Sequence, residues 1–184
     1  MVKPKLICLD AGHGGKDSGA CANNIKEKDF ALDMVVRLGH HLRKLGCKTV
    51  LTRSDDSFIG INRRAFIARA ASADLFVSIH CNAAGNPDAA GSEAFIAAPD
   101  GRSEGIAKVL LHRIAGLKPR GVKKDNQSQH SSLGVLRGTY RLMPAVLLEL
   151  GFCTNNNDAE LMRDKNQREM WAEEMAVAIV NHLG

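Results

Sequence analysis

The sequence predicts an α/β fold: a single-domain layer sandwich with a central, mostly parallel (mixed) sheet of about six strands flanked by helices. Short apolar runs alternate with helical patterns nearly from end to end, which is typical of α/β proteins. One run, "DLFVSIH" at 74–80, is apolar almost throughout, as expected for a strand covered on both faces. With 184 residues, 45% of them hydrophobic, the chain is long enough for one buried core and short for two.

The first half of the chain alternates strands and helices. "KLICLD" predicts a strand, and the glycine-rich stretch "AGHGGKDSG" follows it. A helix is expected from about Asp29 to Leu45, because apolar side chains recur on one stripe and Gly46 is a typical C-terminal stop. "KTVLT" then predicts a second strand, "NRRAFIARAAS" a second helix and "DLFVSIH" a third strand.

The second half continues this pattern around one long loop. "GSEAFIA" predicts a fourth strand nearer an edge of the sheet, and Ser103 is expected to cap a helix that ends near Gly116. Residues 117–132 are polar and basic without a period, which predicts a loop. "LGVLR" and "PAVLLEL" predict two further strands, and Asn166 with Glu169 resembles a capping box at the start of the last helix.

Composition narrows the classes of partner. A net charge of +5 and a pI of about 9.1 favour polyanions: nucleic acid, an anionic membrane surface or an acidic polymer such as a bacterial wall. Aromatic residues make up 4% of the chain, too few for a base-stacking surface, so no nucleic-acid partner is expected. The apolar runs are too short to span a bilayer, so no membrane insertion is expected. The start "MVKPKLICLD" has too short an apolar segment for a secretory signal.

Candidate catalytic residues stand at the predicted ends of three strands. His13 follows the first strand, His80 ends the third and Glu149 closes "PAVLLEL". Because the carboxyl ends of parallel strands meet at one edge of a sheet, these side chains are expected to converge. Glu27, which lies between the glycine-rich stretch and the first long helix, is a fourth candidate.

These residue types suit a catalytic metal site. Two imidazoles and one carboxylate form a common catalytic zinc set with a fourth position open for water, whose pKa zinc lowers towards neutrality. Glu149, within the apolar "AVLLELGF", would accept the proton of that water and pass it to a leaving amine. Each residue also has a simpler interpretation, since a histidine after a strand is often structural and a glutamate that opens a helix complements its dipole. The residues alone leave both interpretations open.

Four strings, in order along the chain, carry a resemblance to a known family. "LDAGHGGKDSGA", "KEKDFALDM", "SIHCNAA" and "MPAVLLELGFCTNNND" resemble the zinc-dependent N-acetylmuramoyl-L-alanine amidases of the Amidase_3 family, found in bacterial autolysins, sporulation lysins and phage endolysins. The resemblance runs from about residue 5 to the C-terminus and implies the same α/β fold. It implies one Zn²⁺ per chain held by His13, Glu27 and His80, with Glu149 as the catalytic glutamate. It also implies hydrolysis of the amide that joins the lactyl group of N-acetylmuramic acid to L-alanine in peptidoglycan.

Substrate contacts are expected from the basic loop and its surroundings. The stretch "LKPRGVKKDNQSQHSSLGVLR" resembles the segment of the family around "RGVK" and "VLR". Arg120, Lys123 and Arg137 are candidates for binding carboxylates of the stem peptide or an anionic wall polymer, and a solvated basic face is the alternative. Asn82 and Leu133 are weaker candidates for substrate contact.

The cysteines are expected to be reduced thiols. The chain has five of them, an odd number, and none forms a C-x-x-C pair. Cys81 and Cys153 stand where the family usually has alanine and an aliphatic residue. Strand alternation points Cys81 away from the side that His80 faces, so both cysteines are expected to act as small apolar side chains.

Other functions compete with the amidase hypothesis. A zinc carboxypeptidase or another amidohydrolase could use the same metal set on different amides, and a wall-binding module without catalysis is the alternative from another class.

We expect 1–184 to be a single catalytic amidase domain without a cell-wall-binding domain, which a longer protein would carry if this chain is a fragment. The expected partner is peptidoglycan. The protein is expected to act on the bacterial wall after lysis or holin release, or after secretion if the chain is a trimmed fragment.

Overall fold

A central sheet organises the fold in the computed structural model, which describes residues 3–184. Within these residues eight strands are found: β1 (Leu6–Ala11), β2 (Cys21–Ala22), β3 (Ile25–Lys26), β4 (Lys48–Leu51), β5 (Leu75–Asn82), β6 (Ser92–Ile96), β7 (Pro119–Lys124) and β8 (Ala145–Phe152). Strands β2 and β3 form a separate hairpin, and the other six form one sheet. Residues 1 and 2, which the single-domain prediction includes, lie outside the described residues.

Helices flank this sheet. Residues 3–184 contain α1 (Glu27–Lys44), α2 (Ile61–Ala70), α3 (Arg102–Leu111), α4 (Gly134–Arg137), α5 (Asn156–Arg163) and α6 (Lys165–Leu183). None of these helices is both long and apolar enough to cross a membrane. The predicted fold class, a single α/β layer sandwich with a mixed six-stranded sheet, is confirmed.

The strand order brings four strand ends to one edge of the sheet. The order is β4-β1-β5-β8-β6-β7, and β4, β1, β5 and β8 run parallel. Strand β6 pairs with β8 in the antiparallel direction, and β7 runs parallel to β6. The carboxyl ends of β1, β5 and β8 therefore lie at the same edge as the amino end of β6.

The two faces of the sheet carry different cores. The larger core lies between the strands and α1, α3 and α6, where Trp171 is fully buried. A smaller apolar cluster around Phe76 and Leu147 packs against α2 and α4 on the other face. On this second face of β5, Phe76 is followed at alternate positions by Ser78 and His80. Polar side chains are therefore collected on the second face, at the carboxyl edge.

Three segments fold differently from the predictions, and one strand lies at another place in the sheet. Residues 117–132, predicted as a loop, include the edge strand β7, whose backbone pairs with β6 while most of its side chains stay in solvent, so no apolar pattern marks it. "LGVLR", predicted as a strand, forms α4 with Val135 and Leu136 buried. The patterns did not predict α5 at all. Strand β7 also covers β6, so "GSEAFIA" lies one strand in from the edge and is buried along β6.

The predicted caps of two helices are wrong. Helix α6 is capped by Asp164, whose carboxylate accepts a hydrogen bond from the backbone N–H of Asn166 (2.8 Å), and not by Asn166 with Glu169. Ser103 is the second residue of α3, and its N–H donates to Oδ1 of Asp100 (2.7 Å). In both cases an aspartate ahead of the predicted residue supplies the acceptor for the first turn.

Candidate metal centre and active-site cleft

A group of three potential metal ligands lies at the shared edge of the sheet. His13 follows β1, Glu27 is the first residue of α1 and His80 lies near the end of β5. One ligand atom from each lies within 4.8 Å of the other two. Oε1 of Glu27 is 2.8 Å from Nδ1 of His80 and 3.0 Å from Nε2 of His13. The structure therefore brings together the three residues that the resemblance assigns to the metal.

Glycines allow the backbone to approach these side chains closely. A Cβ atom at Gly12 would lie 2.3 Å from Cε1 of His80, and one at Gly19 would lie 2.6 Å from Oε2 of Glu27. His13 itself has a φ of 57°, in the left-handed region that non-glycine residues rarely adopt. The glycine-rich stretch after β1 therefore places His13 and leaves room for the other two side chains.

Surrounding contacts orient the ligand side chains. The backbone N–H of Ala20 donates to Oε2 of Glu27 (2.9 Å), which leaves Oε1 directed at the histidines. Oδ1 of Asp17 lies 2.9 Å from Nδ1 of His13, within ion-pair distance of the ring. Contacts of this kind fix ligand orientation in metal sites and raise the affinity for the metal.

The electrostatics of the group favour a bound cation. Burial alone lowers the pKa of His80, but its bond to Glu27 and the nearby carboxylates raise that pKa to about 9. Burial alone raises the pKa of Glu27, yet the two imidazoles hold it well below its usual range. Glu27 is only 5% exposed, and a buried carboxylate is costly unless opposite charge compensates it. Two nitrogen donors and one carboxylate oxygen around one point form a set that fits Zn²⁺.

Glu149 lies beside this group on β8. It is the register partner of His80 in the parallel β5–β8 ladder. Burial raises the pKa of Glu149 to about 7. Its Oε2 atom is buried and has no hydrogen-bond partner among residues 3–184. Buried polar atoms without a partner are rare, and carboxylates with a strongly raised pKa cluster at functional sites.

Glu93 is a buried acid of this site that the sequence reasoning missed. It pairs with Glu149 in the antiparallel β6–β8 ladder, which places both side chains on the same face. Its carboxylate accepts hydrogen bonds from Nδ2 of Asn82 (2.8 Å), Nε of Arg120 (2.9 Å) and Nζ of Lys123 (2.5 Å). Burial raises its pKa, but the two cations hold it below its usual value. A signal was present in the sequence, because "SEAFI" places an acid within an apolar strand.

A cleft of about 800 Å³ opens onto the metal ligands. Its lining includes the exposed apolar side chains of Phe58 and Ile61 and most of residues 127–135. Two of the predicted substrate-binding residues, Asn82 and Leu133, also line it. The volume lies within the range of clefts that enclose ligands much larger than a single amino acid.

The basic residues predicted to bind substrate are held in ion pairs. Arg120 and Lys123 bond to Glu93, and Arg137 makes a two-point ion pair with Asp125 at 2.5 and 2.6 Å. The charge of these three side chains is therefore partly balanced within the protein. Their contact with substrate stays a prediction.

The cysteines next to the site face the core. Cys81 follows His80 in β5, is 3% exposed and belongs to the larger core. A hydrogen bond with Cys153 and burial raise the pKa of the Cys81 thiol. All five cysteines are free thiols. Cys81 thus occupies the position expected of a small apolar side chain on the far side of the strand from His80.

Known proteins share this sequence pattern. A family model described as N-acetylmuramoyl-L-alanine amidase matches residues 7–181. YqiI of Bacillus subtilis, an uncharacterized protein, is 38% identical over 99% of this chain and 84% of its own length. The endolysin of Bacillus phage SPP1 is 42% identical over 86% of this chain, which spans 59% of that endolysin.

A solved structure shares the fold. The catalytic domain of CwlV, an N-acetylmuramoyl-L-alanine amidase from Bacillus (Paenibacillus) polymyxa var. colistinus, matches with a TM-score of 0.87 and 34% identity. The match covers 97% of this chain and 98% of that domain. The likeness therefore extends over the whole sheet and over the edge that carries the ligand group.

Proposed function

The chain belongs to the N-acetylmuramoyl-L-alanine amidase family, and from this membership we propose that it is a zinc-dependent amidase of peptidoglycan. The bond cleaved is the amide between the lactyl group of N-acetylmuramic acid and the L-alanine of the stem peptide. One observation carries the proposal: three ligand atoms within 4.8 Å of one another lie beside a buried carboxylate oxygen that has no partner among the described residues.

His13, Glu27 and His80 are the residues that would hold one Zn²⁺ per chain. A zinc ion bound there supplies Lewis acidity, which makes water nucleophilic near neutral pH and polarises an amide carbonyl. The N–H of Ala20 fixes one oxygen of Glu27, so the other stays directed at the histidines. The chain thus supplies an oriented set of three donors at the base of a cleft that substrate can enter.

Glu149 is assigned the proton transfers. A pKa raised to about 7 suits a group that accepts a proton from water and later donates it to the leaving amine. Its Oε2 has no hydrogen-bond partner in residues 3–184 and is therefore available to take that proton. The pairing with His80 in the ladder keeps Glu149 next to the ligand group through the reaction.

Peptidoglycan is the proposed substrate and partner. Asn82 and Leu133, which line the cleft, are proposed to contact it. Arg120, Lys123 and Arg137 are proposed to attract carboxylates of the stem peptide or an anionic wall polymer, in line with the net charge of +5. We place the activity at the bacterial wall, reached after lysis or holin release, or by secretion as part of a longer protein with its own wall-binding domain.

Mass spectrometry of digested peptidoglycan tests the reaction. The expected products are muramic acid with a free lactyl carboxyl group and stem peptides with a new L-alanine amino terminus. A digest with Glu149→Gln protein is the control for contaminating hydrolases. Release of amino acids from the far end of the stem peptide would instead show a carboxypeptidase and contradict the proposal.

Removal and return of the metal tests the cofactor. Elemental analysis is expected to find one zinc per chain. A chelator is expected to abolish the release of new L-alanine termini, and added Zn²⁺ is expected to restore it. Full activity in protein shown to be free of divalent metal would contradict zinc dependence.

A further inference from the structure

The backbone of the loop that carries His13 is bound by two arginines. Nε and Nη2 of Arg53 donate to the carbonyl oxygens of Ala11 (3.0 Å) and Gly12 (2.7 Å). The guanidinium of Arg64 donates to the carbonyl oxygens of Ala11 and His13. Three successive carbonyl groups, those of residues 11–13, therefore each accept a charged hydrogen bond, which is stronger than a neutral one.

Both arginines are buried at a cost to the fold. Each is 4% exposed, and a buried guanidinium is unfavourable unless its donors are satisfied. Arg64 has a carboxylate partner, Oδ1 of Asp10 at 2.8 Å. The hydrogen bonds of Arg53 all go to backbone carbonyl groups, those of residues 11, 12, 28 and 55. Burial and the neighbouring Arg64 accordingly lower the pKa of Arg53.

Asp10 ties Arg64 to the sheet. Its carboxylate is fully buried and accepts hydrogen bonds from Oγ1 of Thr52 (2.6 Å) and Oγ of Ser78 (2.6 Å) as well as from Arg64. Ser78 and Asp10 lie on the neighbouring strands β5 and β1. The position of the Arg64 guanidinium is therefore set by the rigid centre of the sheet.

The loop needs such support because of its conformation. His13 has a φ of 57° and Gly14 a φ of 127°, so the chain turns through backbone states that most residues avoid. The carbonyl oxygen of His13 is the group that Arg64 binds. A shift of this peptide would move the imidazole away from Oε1 of Glu27, which lies 3.0 Å from its Nε2.

We propose that Arg53 and Arg64 are positioning residues that hold the His13 backbone in its left-handed conformation and thereby preorganise the metal site. This inference rests on the proposed zinc function of that site. Neither residue needs to contact metal or the reacting atoms. Their effect is on the affinity for zinc, because an unheld loop must be ordered when the ion binds.

Lysine variants separate positioning from general stabilisation. Lysine keeps the positive charge, but its ammonium is a compact point charge without the rigid planar fork with which a guanidinium binds two carbonyl groups in fixed directions. Arg168→Lys is the matched control, since Nε and Nη1 of Arg168 donate to Oδ2 of Asp33 and the carbonyl of Met162, both at 2.6 Å, between α1, α5 and α6. The control therefore replaces a guanidinium whose two hydrogen bonds go to α1 and α5 and not to residues 11–13.

The measurement is zinc affinity by competition with a chromophoric chelator, at a temperature at which every variant is folded, together with the Tm of each metal-free protein. Arg64→Lys and Arg53→Lys are expected to bind zinc about 10- to 100-fold more weakly than the unmodified protein. Arg168→Lys is expected to lower the Tm while its zinc affinity stays within about 2-fold, so that a loss of stability alone does not weaken zinc binding.

The outcomes distinguish this inference from the proposed function. If the unmodified protein binds no zinc at the site, the result contradicts the proposed zinc function itself. If it binds zinc and both loop variants bind it equally tightly, only the positioning role is overturned. Should Arg64→Lys not fold, Arg53→Lys decides the question, and failure of both to fold would show a purely structural role and overturn the inference.

Discussion

Two clusters of charged side chains, one between helices and one at the edge of the sheet, pair their acids differently. The helix-interface cluster joins α1 to α6 and consists of Asp33, Arg37, His41, Arg168 and Glu169. Nε of Arg37 (2.7 Å) and Nε of Arg168 (2.6 Å) both donate to Asp33. Nε2 of His41 lies 2.8 Å from Glu169, which also pairs with Arg37. Each carboxylate here has two basic partners.

The sheet-edge cluster consists of His13, Glu27, His80 and Glu149, and its groups are paired differently. One oxygen of Glu27 serves both imidazoles, at 2.8 and 3.0 Å. Oε2 of Glu149 is buried without a partner in the described part of the chain. His13 is held at a φ of 57°.

The difference shows how a structural cluster can be told from a functional one. An unpaired buried polar atom destabilises a structural interface, and both acids of the helix-interface cluster are paired. A site that accepts a proton and binds a cation is expected to keep strain and an available carboxylate oxygen, because these features serve the reaction and not the stability of the fold. Each variant below changes one of these two clusters.

The largest effect is expected from His80→Ala. Removal of one ligand should abolish stoichiometric zinc binding and reduce amidase activity to background, since three donors are needed to hold the ion. Elemental analysis of the purified variant measures the zinc content. His112→Ala, at an exposed histidine after α3, is the control and should retain one zinc per chain. Unchanged zinc stoichiometry in His80→Ala would refute its role as a ligand.

Glu149→Gln is expected to separate metal binding from turnover. The amide keeps the size of the side chain but cannot act as a base, so turnover should fall about 100-fold or more while zinc content stays at one per chain. Rates of release of L-alanine amino termini from peptidoglycan measure this. Normal turnover in the variant would remove Glu149 from its assigned role.

A smaller effect on the sheet-edge cluster is expected from Gly12→Ala. The added Cβ would meet Cε1 of His80 at 2.3 Å, so the ring must shift and zinc affinity should fall about 10-fold or more. The control is Gly85→Ala, where an added Cβ meets no atom within 4 Å. Equal zinc affinities in the two variants would show that the close approach at Gly12 does not matter for the site.

The smallest effect is expected from Asp33→Asn in the helix-interface cluster. Loss of this acid should lower the free energy of unfolding by about 0.5–1 kcal/mol at pH 7 and leave zinc content and turnover unchanged. Burial raises the pKa of Asp33, but Arg37 and Arg168 hold it below its ordinary value of 3.8. The folded state therefore releases the proton more readily than the unfolded state, and the stabilisation is present above pH 3.8 and is lost as pH falls through the lowered pKa.

Urea unfolding at pH 7 and pH 3 checks this last expectation. The difference between the unmodified protein and Asp33→Asn should be largest at pH 7 and should shrink at pH 3. Glu173→Gln, at an exposed acid of α6, is the control and should show little difference at either pH. A loss of zinc in Asp33→Asn would show that the two clusters are not independent.

Much of the sheet-edge cluster could be predicted from the sequence because it depends on strand ends. Parallel strands place their carboxyl ends at one edge, so the sequence alone predicts that His13, His80 and Glu149 converge. The four strings with their family resemblance added Glu27. Glu93 was missed because it lies at the amino end of β6, and β6 reaches the same edge only by running antiparallel to β8. Strand direction depends on pairing, which one sequence does not show.

Some segments owe their structure to strand pairing or to packing against a helix, and these segments were also poorly predicted. Strand β7 is formed by backbone pairing at an exposed edge, so its side chains carry no alternation. "LGVLR" has too few residues to separate a strand period from a helical one, and its burial under α2 decides in favour of α4. The roles of Arg53 and Arg64 likewise depend on contacts about 40 to 50 residues away along the chain.

X-ray diffraction at the zinc absorption edge, on crystals of the protein grown with Zn²⁺, tests the central claim most directly. The account predicts one strong anomalous peak per chain, about 2.0–2.2 Å from one atom each of His13, Glu27 and His80, on the side facing Glu149. The absence of a peak there, or a peak held by other side chains while this group stays empty, would contradict it.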